Sequence, residues 1–270
     1  MNNRPASSRL ARAKFALPSL VTLLSIACGF TSIIVTVDNT AADAANAAAS
    51  AADFRLAAAL LVLAGLFDAL DGFVARVTGT SSAFGVQLDS IADVVNFGCA
   101  PAILLYCYGF LHLPEHDALL LRIGAGASFF FAACGALRLA RFNVQVGHAD
   151  PRYFVGMPIT AGAACVASAV VGWPEPAHTA GDAWRVVALL IGTGSLMVST
   201  LRFPSTKQSL PRGGMAMAAL AAAAVSLGWL AAVLGLRFFA AAFALYVTAA
   251  LTLNVLWRAG WRGIEPPERH

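Results

Sequence analysis

Long apolar runs separated by short polar segments dominate this chain. Eight of these runs approach the roughly 20 residues that an α-helix needs to cross a bilayer. Of these, the fifth and sixth are the shortest and are flanked by Pro158 and Pro174. The segment from Thr40 to Ala52 is weakly polar and is predicted as a loop, with a helix as the alternative. The predicted spans cover approximately residues 17–37, 54–76, 83–110, 119–141, 155–173, 184–200, 213–234 and 237–257.

The composition of the chain is typical of a membrane protein. Of the 270 residues, 59% are hydrophobic and only 12% are charged, whereas about a quarter of the residues in an ordinary globular domain are charged. A soluble fold of this size would need more polar surface, so most of the apolar surface is expected to face lipid. We therefore predict an all-α fold, a polytopic transmembrane helical bundle of about eight spans.

The charges indicate how the bundle is oriented. With the N-terminus inside, fourteen of the 18 Lys and Arg residues fall in inside segments and four in outside segments, as the positive-inside rule requires. Eight spans put both termini in the cytoplasm; if the fifth and sixth formed one span, the C-terminus would lie outside. The net charge of +4 then reflects topology and attraction to anionic headgroups, not nucleic-acid binding. The five cysteines lack paired spacing and are predicted to pack in the core, and the five histidines are predicted to lie at the surface.

Four aspartates lie where the second and third predicted spans meet, in the segment DALDGFVARVTGTSSAFGVQLDSIAD. Asp68 and Asp71 are three residues apart, and Asp89 and Asp93 are four apart. Each pair therefore shares one helix face. The polar turn of residues 78–82 is predicted to bring the two helices back antiparallel, so that the four carboxylates converge just inside the membrane surface.

Such a cluster is costly without a partner. An Asp deep in a membrane helix costs about 3 kcal/mol, and two like charges about 4 Å apart repel by about 4 kcal/mol at an effective dielectric of 20. Only Arg76 is near in sequence, and one cation does not balance four anions. Mg²⁺ or Mn²⁺ ions can, and two such ions bridged by carboxylates suit phosphoryl chemistry. The alternative is a polar helix contact or an ion path in a transporter.

Small residues flank the acids. Gly72 and Gly85 lie within about one turn of them, where the absence of a side chain lets a ligand approach the backbone. Ala75 keeps the same face small. Packing of small residues between membrane helices is the alternative explanation for all three.

These residues form the pattern D-x2-D-G-x2-A-R-x8-G-x3-D-x3-D, which resembles the signature of the CDP-alcohol phosphatidyltransferase family. In that family a helical membrane domain binds a CDP-linked lipid through two divalent metals, and a small alcohol displaces CMP. The matching positions are Asp68, Asp71, Gly72, Ala75, Arg76, Gly85, Asp89 and Asp93.

The resemblance implies roles for these positions. Asp68, Asp71 and Asp89 are expected to hold two Mn²⁺ or Mg²⁺ ions, and Asp93 is expected to share one of them and to act as the catalytic base. A homodimer is expected as well. The residues expected to contact the CDP-lipid are Asp68, Gly72, Ala75, Arg76 and Gly85.

The flanking sequence resembles one branch of the family, the membrane-embedded enzymes whose acceptor is serine. FALPSLVTLLSIACGF matches that branch's LPN-x2-T-x6-GF opening, and GALRLARFNV, FVGMPITAGA and LMVSTLRFPSTK continue the likeness over roughly residues 15 to 210. Three positions depart from the pattern. Ser19 replaces a usual Asn, Asn96 replaces a usual Ser, and Ile159-Thr160 replaces the usual Ile-Pro.

GALRLARFNV also has a physical interpretation. Arg138 and Arg141 share one helix face at the inside end of the fourth span, and Asn143 follows. Guanidinium groups suit bidentate capture of a carboxylate or phosphate, and serine carries both a carboxylate and an ammonium group. These three residues are the predicted acceptor pocket, with anchoring by positive-inside arginines as the alternative. Lys207 is a further candidate for neutralising a lipid phosphate.

We therefore expect a multi-pass enzyme of the cell inner (cytoplasmic) membrane, active at the cytoplasmic face, that transfers the phosphatidyl group of CDP-diacylglycerol to L-serine. The alternatives are another acceptor, such as glycerol 3-phosphate, inositol or choline, and an ion-coupled transporter. The expected organisation is a basic N-terminus (1–16), a catalytic transmembrane domain (17–212), two C-terminal spans (213–257) and a cytoplasmic tail (258–270).

Overall fold

A computed structural model describes residues 6–41, 47–79, 82–113, 117–145, 153–173 and 175–204, together with Thr248 and Thr252. The predicted all-α class is confirmed over these ranges. The helices are α1 (Ala6–Ala41), α2 (Ala47–Thr78), α3 (Ala83–Asp93), a π-helical segment (Val94–Cys99), α4 (Ala100–Phe110), α5 (Ala118–Gln145), α6 (Ile159–Gly172) and α7 (Ala180–Val198).

Five stretches of helix in the described ranges are long and apolar enough to cross a membrane, and they confirm the first four predicted spans and the sixth. Large apolar side chains on their outer surfaces, such as Phe30, Phe84 and Phe129, are more than half exposed, as lipid-facing residues would be. The seventh and eighth predicted spans lie outside the described ranges. The five stretches are Pro18–Thr40, Ala49–Ala75, Ala83–Phe110, Ala118–Val144 and Ala180–Val198.

The predicted loop between residues 40 and 52 is helical wherever it is described. Helix α1 continues to Ala41, and α2 already begins at Ala47. Alanine has the highest helix propensity of all residues, and this segment is rich in it. The helical alternative is therefore the correct one for these flanks.

The fifth predicted span is shorter than expected. Its first residue, Val155, is the end of a strand, β1 (Tyr153–Val155), and only 14 residues, Ile159–Gly172, are helical. A second strand, β2 (Arg202–Pro204), follows α7 and pairs antiparallel with β1. Because β1 precedes α6 and β2 follows α7, this pairing makes α6 and α7 a helical hairpin whose two ends lie on the same side of the bundle.

A glycine makes the close approach between these strands possible. Gly156 has φ +78° and its N–H donates to the carbonyl of Leu201 at 2.7 Å. That backbone conformation is accessible to glycine at little cost and is strained for other residues. No local pattern predicted this ribbon, because apolar residues in a short strand resemble those of a membrane helix.

The third span is one continuous rod with a π-helical centre. Ser82 begins it by accepting a hydrogen bond from the Gly85 N–H at 3.0 Å, as an N-cap residue does. Inside the rod, the Ala100 N–H donates to the Val95 carbonyl, five residues back. Pro101 follows at once and has no N–H to offer the previous turn. The widened π turn accommodates this missing donor.

A row of small polar residues joins α1 to α2. Ser25 and Ser32 donate hydrogen bonds to the carbonyls of Ala64 and Ala57, at 2.8 and 2.9 Å. Both serine side chains are buried. Small residues of this kind let two membrane helices approach closely, with their hydroxyl groups bonded across the interface.

The buried core lies where the π-helical segment meets its neighbours. That segment packs against α1, α2, α5 and α6. Phe97, which is 2% exposed, points toward Gly65 of α2, and Gly98 lies against the Ala132 backbone of α5. The centre of the bundle is therefore adjacent to the last aspartate of the motif, Asp93.

Candidate active site

Three of the four predicted aspartates converge at one end of the bundle. Each of Asp68, Asp71 and Asp89 offers a carboxylate oxygen, and these oxygens lie within 4.8 Å of one another. Asp71 is only 5% exposed, while Asp68 and Asp89 are half-buried. Helix α2 supplies two of the acids one turn apart, and α3 supplies the third after the turn at Gly79.

Asp93 lies beside this group. Its carboxyl group is within hydrogen-bonding reach of the Asp68 carboxyl group and also interacts electrostatically with Asp89. Two carboxylates at such a separation repel each other unless a proton or a cation lies between them. The four acids predicted from spacing are thus neighbours.

The cluster fits a hard divalent cation. Its ligands are all carboxylate oxygens, the type that Mg²⁺ and Mn²⁺ prefer. Among the described residues, Asp71 Oδ2 and Asp93 Oδ1 are buried and have no hydrogen-bond partner. A buried acceptor left without a partner is unfavourable, and a cation held by Asp68, Asp71 and Asp89 would satisfy the Asp71 oxygen.

Thr22 of α1 supports Asp71 and was not predicted as a site residue. Its hydroxyl group lies next to the Asp71 carboxylate, which also receives the backbone N–H of Gly72. The Thr22 side chain is buried, and its hydroxyl group is 3.1 Å from the carbonyl of Pro18. The only sequence signal was its fixed place in the LPSLVT opening.

The small residues of the motif line the same end of α2 and α3. Gly72 and Ala75 are half-buried and lie within a turn of Asp71. A Cβ added at Gly85 would lie 3.2 Å from Ser82 Oγ, so that glycine also leaves room for the cap of α3. The side chain of Arg76 is outside the described part of the structure. Contact of these residues with a CDP-lipid stays a prediction.

Arg138 points toward the aspartates from α5. Its side chain is 7% exposed, and its guanidinium carbon lies 5.2 Å from the centre of the Phe142 ring. Its positive charge acts on Asp93. A buried arginine beside a cluster of acids is expected to be paired, so Arg138 belongs to the site.

Arg141, one turn further along α5, lies in a different environment. Its guanidinium group donates to four backbone carbonyls, those of Val155, Met197, Val198 and Ser199, at 2.7–3.3 Å. It thereby holds β1 against the carboxyl end of α7, where carbonyl groups lack helical partners.

Asn143 reaches the cluster from the end of α5. Its side-chain amide donates to Ser90 Oγ at 3.0 Å, and Ser90 directly follows Asp89. Asn143 is exposed. Of the three predicted acceptor residues, Arg138 and Asn143 therefore lie beside the aspartates, while Arg141 faces backbone.

The sequence that carries this site matches a known family. Residues 15–192 match the model of the CDP-alcohol phosphatidyltransferase family, which is more than half of the chain. The protein belongs to the CDP-alcohol phosphatidyltransferase family, and is therefore a membrane-embedded transferase.

Three curated relatives align with most or about half of this chain. The chain is 35% identical over 195 residues to the CDP-diacylglycerol–serine O-phosphatidyltransferase of Helicobacter pylori, an alignment that covers 72% of this chain and 74% of that protein. It is 42% identical over 145 residues to the enzyme of the same name from Methanocaldococcus jannaschii, covering 54% and 62% of the two chains. It is 32% identical over 207 residues to the archaetidylserine synthase of Methanothermobacter thermautotrophicus, covering 76% and 74%.

Proposed function

We propose that this enzyme transfers the phosphatidyl group of CDP-diacylglycerol to the hydroxyl group of L-serine, giving phosphatidylserine and CMP. The observation that carries the proposal is the convergence of Asp68, Asp71 and Asp89 with Asp93 beside them. The names of the similar proteins from three organisms support serine as the acceptor.

The aspartates divide into two roles. Asp68, Asp71 and Asp89 would hold two divalent cations, Mn²⁺ or Mg²⁺, with Asp93 sharing one, and the bound ions would neutralise charge on the diphosphate and on the departing CMP. Thr22 and the Gly72 N–H orient Asp71 for this task. Gly72, Ala75, Arg76 and Gly85, together with Asp68, would form the CDP-lipid pocket.

Asp93 is the proposed general base. In the reaction, the serine hydroxyl oxygen forms a bond to the phosphorus next to diacylglycerol, and the bond from that phosphorus to the CMP oxygen breaks. The hydroxyl proton passes to the Asp93 carboxylate. A base must be within hydrogen-bond reach of the proton it takes, and Asp93 lies at the edge of the cluster with one oxygen that has no partner among the described residues.

Arg138 and Asn143 are the proposed acceptor contacts. The buried guanidinium group of Arg138 would pair with the serine carboxylate. Asn143 adds an amide beside Asp89. The carbonyl contacts of Arg141 favour a role in shaping the β1–β2 ribbon over its predicted contact with the acceptor.

The lipid-exposed helices support a bilayer enzyme whose substrate enters from the membrane. We propose the cell inner membrane, with the aspartates at the cytoplasmic face, because the positive-inside rule places the motif there. A homodimer is proposed on the family resemblance alone.

The test uses purified protein with CDP-diacylglycerol, Mn²⁺ and labelled L-serine, in parallel with labelled glycerol 3-phosphate, inositol and choline. We expect labelled phosphatidylserine only. Turnover of another alcohol in its place would refute serine as acceptor and leave the family assignment intact. Asp93→Asn should keep CDP-lipid binding and lose turnover, and normal turnover in that variant would exclude Asp93 as the base.

Arg138 has a matched control on its own helix. Arg138→Lys keeps the charge but loses the bidentate fork, so the KM for serine should rise about tenfold or more. Arg122→Lys, at the exposed far end of α5, should leave it unchanged. A serine KM that is equal in the two variants would remove Arg138 from the acceptor pocket.

The transporter alternative is not favoured by the polar residues of the described bundle. The aspartates lie at one end, and a 710 Å³ cavity lined partly by His178, Asp182 and Arg185 lies at the other. Between these ends, the buried polar side chains that join α1 to α2, such as Ser25 and Ser32, are uncharged and donate to α2 carbonyls. An ion-coupled path would need ionisable groups along this interval.

A further inference from the structure

Asn96 is an unusual residue for the centre of a membrane bundle. It lies in the π-helical segment, and its side chain is 0% exposed. Its amide nitrogen donates to Ser25 Oγ at 2.9 Å, and within the described residues its Oδ1 has no hydrogen-bond partner. A buried amide with one unpaired end is unfavourable for stability, so packing alone does not account for it.

The bond to Ser25 continues into α2. Ser25 Oγ accepts from Asn96 and donates to the carbonyl of Ala64 at 2.8 Å. That carbonyl is four residues before Asp68, and in a regular α-helix it also accepts the Asp68 N–H. Asn96 itself is three residues after Asp93. Two hydrogen bonds therefore connect Asn96, about one turn after Asp93, to the turn of α2 that ends at Asp68.

Gly29 of α1 makes this arrangement possible. A Cβ at that position would lie 2.8 Å from Asn96 Cγ and 3.1 Å from Asn96 Cα, so only glycine lets the π-helical segment come this close. Thr22, which supports Asp71, lies on the same face of α1 as Ser25, three residues away. The buried face of α1 thus contacts Asp71 through Thr22 and, through Ser25, contacts Asn96, which lies three residues after Asp93.

We infer that Asn96 is a positioning residue. Its amide, through Ser25, sets the axial position and the rotation of the π-helical segment relative to α2. This arrangement holds the Asp93 carboxyl group against that of Asp68. Asn96 is fully buried and does not touch substrate, so it acts only through Asp93. The inference rests on the proposed function for its kinetic consequence, but not for its effect on metal binding.

The structure provides a matched pair of serines for the test. Ser25→Ala and Ser32→Ala each remove one buried hydroxyl group bonded from α1 to an α2 carbonyl. Ser25 is bonded to Asn96, whereas Ser32 is bonded two turns further from the aspartates. Both variants should lose thermal stability, Ser25→Ala the more because it also leaves the Asn96 amide without its partner, and the difference between them isolates the connection to Asn96.

Kinetics and metal binding are measured on the full-length purified enzyme. Ser25→Ala and Asn96→Leu should lower kcat about tenfold or more, because small displacements of a catalytic group are costly, with the serine KM changed less than about threefold. The shift in Tm that Mn²⁺ alone produces should shrink in both variants. Ser32→Ala should keep both properties, and Asn96→Ser, which retains a hydroxyl donor, should recover most of the activity.

The double variant S25A/N96L should have the same kcat as the less active of the two single variants, because the same connection is broken in each case. Wild-type kcat and an unchanged Mn²⁺ shift in Ser25→Ala would overturn the inference, as would an equal loss in Ser32→Ala. If Asn96→Leu fails to fold, Ser25→Ala decides. If the wild type forms no phosphatidylserine, the proposed function fails, and the Mn²⁺ shifts of the two serine variants still test the positioning role.

Discussion

Replacing Asp71 with asparagine should change thermal stability in opposite directions with and without a divalent cation. Asp71→Asn keeps the size of the side chain and an oxygen for Thr22, but removes one negative charge from the cluster. Without metal, the variant should be the more stable protein, because the remaining acids are less crowded. With metal, the wild type should be the more stable, because it has lost no ligand.

The magnitude follows from the separation of the acids. The carboxylate oxygens lie within 4.8 Å of one another, and two unit charges at that limit repel by about 3.5 kcal/mol at an effective dielectric of 20. Partial exposure of Asp68 and Asp89 screens this repulsion, so we expect a net gain of about 1–2 kcal/mol without metal, or several degrees in Tm. In the wild type, Mn²⁺ at 100 times its dissociation constant should add about 2.7 kcal/mol.

The assay is thermal unfolding of the detergent-solubilised protein, followed by tryptophan fluorescence in EDTA and then in excess MnCl₂. Asp53→Asn, about five turns earlier in the same helix, is the control and should behave like the wild type in both conditions. A Tm of Asp71→Asn below that of the wild type in EDTA would refute charge repulsion within the cluster, and an equal rise in the Tm of both proteins with Mn²⁺ would refute Asp71 as a metal ligand.

Three further predictions concern packing, the ribbon and pH. Gly29→Ala should cost about 1–3 kcal/mol of stability by overpacking against Asn96, measured as a fall in Tm, whereas Gly126→Ala on α5, with no described atom within 4 Å of its added Cβ, should not destabilise. Arg141→Lys should lower the Tm and leave the serine KM within about twofold; a raised KM at unchanged Tm would instead support the predicted acceptor contact. His112 was predicted to lie at the surface, but its ring packs edge-on against that of Phe54, with 5.5 Å between the ring centres. Burial lowers the pKa of His112 from 6.5. Its contribution to stability is therefore fully present above pH 6.5 and is lost as pH falls toward the lower folded-state pKa, and His112→Gln should flatten a Tm profile recorded from pH 7 to 5.

Hydropathy predicted most of the helices because a bilayer demands long apolar runs. It failed at the fifth span for a physical reason. Val155 and the residues after it are apolar enough to resemble a membrane helix, yet Val155 pairs with β2 and the chain turns at Gly156. That pairing depends on residues about 50 positions away, which no local pattern reports.

In the candidate site, too, local patterns were predicted and contacts between distant residues were not. Spacing along α2 and α3 predicted the four aspartates, because residues three or four apart share a helix face. It could not separate Arg138 from Arg141, which are the same residue type on one face, whereas the structure places one beside Asp93 and the other on backbone carbonyls. Nor could it find the bond between Ser25 and Asn96, whose partners are 71 residues apart.

The central claim is that the aspartate cluster transfers a phosphatidyl group to serine. Its most direct test is to measure CMP and phosphatidylserine together in one reaction of the purified enzyme with CDP-diacylglycerol, L-serine and Mn²⁺. We predict that the two products form in a one-to-one ratio, that both require serine and the metal, and that both disappear in Asp71→Asn. Release of CMP without serine, or formation of phosphatidylserine by Asp71→Asn at the wild-type rate, would contradict it.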